Sequence, residues 1–193
     1  NVAMMVWGRN YMTFPPLVEK TQFEIAGASF TSVQVMIVLV AALSMGGLLF
    51  LVYRTRLGMA MRATAQNPAV AGLMGVNANR VISSAFVIGS ALGAIAGVMV
   101  GTYYEIAHYQ MGFMLGLKAF TAAVLGGIGN LAGAMAGGVL LGLIEALGAG
   151  YIGDLTGGFL GSHYQDIFAF VVLILVLMFR PSGLFGEKTG DRA

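Results

Sequence analysis

Lys118 and Glu145 are charged residues set in stretches that are otherwise apolar. An ionised side chain at the centre of a bilayer costs about 3 kcal/mol on insertion scales, so such residues usually pair or line a water-filled path. The two residues flank one hairpin of apolar segments, which lets their levels approach each other. One reading makes them polar stations on a translocation path, with Thr121 as a neutral member. The more economical reading is a structural pair, or two residues near the outer interface that reach water.

Other chemistry is weakly supplied. Ser83, Ser84 and Ser90 lie in an apolar stretch without a histidine, and a serine nucleophile needs a base within reach. Ser162 and His163 are adjacent in a Gly-rich connection, which sets no dyad geometry. His108 and His163 lack the spacing of a metal site, and there is no cysteine to add a thiolate. Glu105, His108, Asp154 and His163 fall on the outer side. There they could meet a docking protein or simply be solvated. No GxxxxGK[ST] run is present, so any ATP used is bound by another chain.

These residues must be positioned by membrane helices. The chain has 193 residues, of which 58% are hydrophobic and 9% charged. Soluble domains carry about 25% charged residues, so the composition excludes an ordinary soluble enzyme. A formal charge of +2 gives no case for nucleic acid. The 29 glycines suit helices that approach closely in lipid. The expected class is therefore all-α: a multi-pass transmembrane protein of about five segments forming one domain over residues 1–193.

The segments follow in order. Residues 1–32, with Trp7, Tyr11, Phe14 and Pro15-Pro16, suit an interfacial loop. Ser32–Tyr53 is the first clear span and Val81–Tyr104 the second, each long enough for about 30 Å of hydrocarbon. In the second, Gly89, Gly93, Gly97 and Gly101 recur every four residues and predict a tight helix crossing. Gly116–Gly127 and Ala132–Gly148 are shorter and Gly-interrupted, a pattern found along pathways. Ala149–Gln165 reads as a Gly-rich loop, and Asp166–Phe179 completes the last span.

The stretch Arg54–Arg80 interrupts this pattern. It carries Arg54, Arg56, Arg62 and Arg80 and no acid. Within it, Asn67-Pro68 is a helix-start signal: Asn caps free N–H groups and Pro fits the first helical position. Gly75 is a left-handed stop. A helix over Pro68–Met74 is too short to stand alone in water, and its apolar or small sides suit a protein groove. Counting Lys and Arg by loop places Arg54–Arg80, Arg180, Lys188 and Arg192 on the cytoplasmic side, with Arg9 and Lys20 outside. Span parity agrees and puts the N-terminus outside. That placement, an initial Asn and no visible signal peptide predict a further preceding span.

Three stretches together carry a family resemblance: RTRLGMAMRATAQNPAVAGLMGVNANRVISSAFVIGSALGAIAGVMVG, GLKAFTAAVLGGIGNLAGAMAGGVLLGLIEAL and FRPSGLFGE. From about Pro15 to the C-terminus the chain resembles the inner-membrane permease of branched-chain amino-acid ABC importers, the LivH type. The resemblance implies a C-terminal portion of such a permease, lying in membrane lipid beside a sister permease. It further implies two cytoplasmic ABC ATPases that bind the ATP and Mg²⁺, and a periplasmic protein that delivers the solute. This chain would itself bind no cofactor. The coupling position carries over to Pro68, Ala69, Val70, Ala71, Gly72, Leu73, Met74 and Gly75. Arg62 and Arg80 could pair with acids on the ATPase or simply mark the inner side. The family's Glu-Ala-Ala triplet reads Ala69-Val70-Ala71 here, and its Ile-x-Leu-Pro continuation is replaced by Ala85-Phe86-Val87-Ile88. An ATP-independent channel or secondary transporter for a small polar solute such as urea or an amide is the alternative.

Overall fold

The computed structural model describes residues 5, 8, 11–15, 21–25, 28–155 and 165–186. His163, Lys188 and Arg192 lie outside them. Seven helices make up most of the described chain: α1 (Ser32–Arg54), α2 (Arg56–Gln66), α3 (Pro68–Leu73), α4 (Ala78–Tyr104), α5 (Met111–Gly126), α6 (Leu131–Leu155) and α7 (Gln165–Phe179). Three are long and apolar enough to cross a membrane: Ser32–Arg54, Ala78–Tyr104 and, within α6, Leu131–Gly148. Met111–Gly126 and Phe170–Phe179 are shorter apolar helices. The protein is thus a helical, multi-pass membrane protein, as its composition requires.

Four short strands accompany the helices among the described residues. β2 (Gln22–Ile25) and β3 (Ala28–Thr31) form an antiparallel hairpin, and β1 (Met12–Thr13) pairs with β4 (Ile106–Ala107). Backbone outside a helix still needs hydrogen-bond partners, and these ladders supply them before α1 and after α4. At the start of α1, the Thr31 amide donates to the Gln34 side chain (3.1 Å). The Ser32 amide and hydroxyl both donate to the Thr21 carbonyl (3.0 Å each).

Boundaries shift for local reasons. α4 begins three residues before the expected span because Asn77 caps it, accepting from the Arg80 amide (3.2 Å). α6 continues through residues expected to be loop, so 149–155 are helical. The connection between α1 and α4 holds two helices rather than one.

The chain divides into two units, 1–111 and 112–193. The first holds the β-ladders and α1 to α4. The second holds nearly all of α5, with α6, α7 and the turn after it. Its core gathers Ala122, Leu125 and Leu141, packed by Leu140, Leu173, Val176 and Leu184. Leu125 is only 1% exposed, although this chain leaves most of its apolar helix surface uncovered.

Candidate functional site

The first candidate is α3 and its mounting. Asn67 caps it by accepting from the amides of Ala69 and Val70 (3.1 Å each), and Pro68 occupies the first turn. At the other end the Gly75 amide donates to the Gly72 carbonyl and the Val76 amide to that of Ala71 (3.0 Å each). Gly75 has φ +84°. Together these make a complete Schellman stop. The helix ends at Leu73, one residue before the expected Met74, because Met74 (φ −83°, ψ 9°) is already the C-cap.

Only one side of α3 is covered. Ala71 is 4% exposed, whereas Leu73 and Met74 are 88% and 82% exposed. Val70 is also exposed, so the uncovered side ends in an apolar tip without a charge.

α2, missing from the sequence reading, holds α3 in place. Thr55 caps α2 by accepting from the Gly58 amide (3.1 Å). A Cβ at Gly58 would collide with the carbonyl oxygens of Leu51 and Val52, so glycine lets α2 seat backbone-to-backbone on the end of α1. Arg62 reinforces the corner. Its guanidinium donates to the Val52 carbonyl and lies 5.3 Å from the centre of the Tyr53 ring. The sequence leaves Arg62 either a partner for an acid on the ATPase or a mark of the inner side; here its guanidinium turns back onto α1. A carbonyl at a helix C-terminus has no intrahelical donor, so a cation there is favoured.

The second candidate is the Lys118–Glu145 pair. α5 and α6 bring Lys118 Nζ to 3.0 Å from Glu145 Oε2, with the side chains 35% and 18% exposed. Thr121 is buried on the same helix as Lys118, and its hydroxyl donates to the Lys118 carbonyl (2.8 Å). Thr121 therefore spends its proton on its own helix.

The hairpin that presents this pair is locked at its other end. A Cβ at Gly126 would strike the Gly133 carbonyl, and one at Gly137 the Ala122 carbonyl. The turn after α7 fits the same place. Leu184 and Phe185 amides donate to the carbonyls of Leu125 (2.9 Å) and Gly126 (3.0 Å) at the end of α5. Asn130 Nδ2 donates to the Phe185 carbonyl (2.9 Å), and its Oδ1 accepts from the Gly133 amide (3.0 Å).

The glycine row of α4 is divided. Gly101 faces the Phe14 ring, whose nearest carbon would lie 3.2 Å from an added Cβ. Gly89, Gly93 and Gly97 face open space within this chain. Between the strands, His108 stacks with Tyr11 and Tyr109 at ring separations of 4.7 and 4.2 Å. Glu105 takes the left-handed conformation at the end of α4, and its carbonyl accepts from the Phe14 amide (2.9 Å). Ser84 donates to the Val81 carbonyl (2.8 Å), a helical back-bond rather than a nucleophile's contact. No cluster of three metal-ligating side chains occurs among the described residues.

Comparisons with known proteins bear on the whole arrangement. Residues 3–177 match the family model described as branched-chain amino acid transport system / permease component. The chain is 47% identical over 166 residues to the high-affinity branched-chain amino acid transport system permease protein BraD of Pseudomonas aeruginosa, covering 86% of this chain and 52% of that protein. It is 45% identical over 165 residues to the corresponding permease protein LivH of Escherichia coli K12, covering 86% of this chain and 51% of LivH. It is 34% identical over 142 residues to the autoinducer 2 import system permease protein LsrC of Klebsiella pneumoniae, covering 72% and 39%. The chain thus spans about half the length of the curated relatives it matches. No solved structure gave a significant match. With residues 3–177 of its 193 inside the family model, the chain belongs to the branched-chain amino acid transport system permease family.

Proposed function

We propose that this chain forms part of the membrane pathway of an ATP-driven importer for branched-chain or related amino acids, and that α3 couples it to the ATPase. The observation that carries this reading is α3 itself, capped at both ends, seated on α2 and presenting Leu73 and Met74 outward. Two turns of helix do not persist in water unaided. The caps and the Ala71 contact make them a fixed knob, and an apolar knob suits a groove on a partner. The names of BraD and LivH support the solute class.

The remaining parts follow from that reading. ATP and Mg²⁺ bind to two ATPase chains, which carry the hydrolysis, and this chain holds no cofactor. A sister permease completes the pathway in the lipid, and a periplasmic binding protein delivers the solute. The chain resides in the inner membrane of a bacterium. Arg54, Arg56, Arg62 and Arg80 put α3 on the cytoplasmic side by the positive-inside rule, and the C-terminus is on that side too.

The test replaces Leu73→Asp or Met74→Asp in the whole transporter. A carboxylate in an apolar groove costs more than the 1.4 kcal/mol that equals about tenfold in affinity. ATPase co-purification and leucine uptake are expected to fall at least tenfold at unchanged permease abundance. Docking and uptake at the normal level would overturn the coupling role.

A further inference from the structure

We infer that α5, α6 and α7 pass through the transport cycle as one rigid block, locked at the α5–α6 turn by residues 181–186. The inference rests on the transport reading above and deepens it, because it says where the movement does not occur. The lock has no side chains that could swing aside. An added Cβ would strike the Gly133 carbonyl at Gly126, the Ala122 carbonyl at Gly137 and the Gly127 backbone at Gly183. Helices that shear past each other do so by small sliding of their packed surfaces. Here backbone lies against backbone, and a slide runs into carbonyl oxygens instead of adjustable rotamers.

Hydrogen bonding opposes opening as well. The carbonyls of Leu125 and Gly126 end α5, where the helix supplies no donor. Leu184 and Phe185 supply it, and the Phe185 carbonyl is taken in turn by Asn130. Lifting the turn away strips three partners at once. Leu125 and Gly126 are buried, and a buried polar group left without a partner costs more than a formed bond contributes. Beside the lock, Ala122, Leu125 and Leu141 pack with Leu173, Val176 and Leu184, so all three helices and the turn share one core. Lys118 and Glu145 tie α5 to α6 a second time, at 3.0 Å. The change of access therefore falls at joints outside this block.

A disulfide tests this, since the chain has no cysteine. An added Cβ at Gly138 would lie 3.9 Å from the Ala122 Cβ, inside the roughly 3.5–4.5 Å that a disulfide bridges. Ala122→Cys/Gly138→Cys is placed in the whole permease, otherwise cysteine-free, in liposomes with its ATPases and loaded binding protein. Oxidation is expected to cross-link the pair, with ATP-driven leucine uptake staying within about twofold of the reduced transporter. The cross-linking rate is expected to be the same without nucleotide and with ATP, a reading that needs no turnover. Uptake that falls further on oxidation and returns on reduction would overturn the block. So would a rate that depends on nucleotide, or a pair that does not cross-link. Gly183→Ala, added to the pair, is expected to slow cross-linking and to lose uptake; an unchanged rate and uptake would remove residues 181–186 as the lock. A wild-type assembly without ATP-driven leucine uptake overturns the transport reading instead, while cross-linking in the same liposomes still reports on the hairpin.

Discussion

Asn67 illustrates how much a single side chain can decide. Its Oδ1 takes two amides that would otherwise have no partner at the start of α3. A six-residue helix has few internal bonds to spare, so losing a cap matters more here than in a long span. Asn67→Ala is expected to cost about 1 kcal/mol locally. Amide exchange at Ala69 and Val70 would quicken accordingly, while the spans exchange as before. This end of α3 was legible in the sequence because Asn-Pro and Gly75 each carry a definite backbone meaning. Arg62 was harder to place. A lone arginine in a basic loop is satisfied equally by topology, by an acid or by a carbonyl, and only the fold reveals Val52 and Tyr53 as its partners.

Between elements, glycine acts through where the neighbouring backbone lies rather than through its spacing. The regular row on α4 was the conspicuous pattern, yet within this chain three of its four members face open space. The tightest crossing is the irregular set Gly126, Gly133 and Gly137, where α5 and α6 touch backbone to backbone. Gly137→Leu forces the helices apart and is expected to abolish a stable hairpin, seen as loss of folded permease on detergent extraction. A Cβ at Gly93 meets no atom of this chain, so Gly93→Ala should cost the isolated chain no stability. A loss confined to the assembled transporter would report a partner on that face. The Lys118–Glu145 approach could be anticipated because both residues occupy one hairpin. α2 was passed over because Arg56–Gln66 mixes arginines, Thr64 and Gln66 with alanines and reads as a basic loop. The junction of Asn130 with Phe185 joins residues 55 apart, and no local pattern encodes such a contact.

At the scale of the molecule, α4 sets the distance between the two ends of the first unit. Its 27 residues extend about 40 Å at 1.5 Å each, more than the roughly 30 Å of a hydrocarbon core. α3 precedes it and Tyr109 follows it, so the two belong to opposite membrane faces. The chain has no cysteine, which permits a clean check by labelling. Leu73→Cys is expected to react with a membrane-impermeant maleimide only in inverted vesicles, and Tyr109→Cys only in intact cells. The reverse result would invert the orientation. The closing of the α5–α6 hairpin also has a history in time. Asn130 leaves the ribosome long before Phe185, the residue its amide must reach, and 55 residues separate them. At about 5–20 residues per second, the nascent hairpin waits roughly 3–11 s with the carbonyls of Leu125 and Gly126 still lacking the donors that Leu184 and Phe185 bring. During that interval a protease or an insertion chaperone meets an unfinished clasp, and only a ribosome that has translated past the final glycine turn delivers the piece that shuts it.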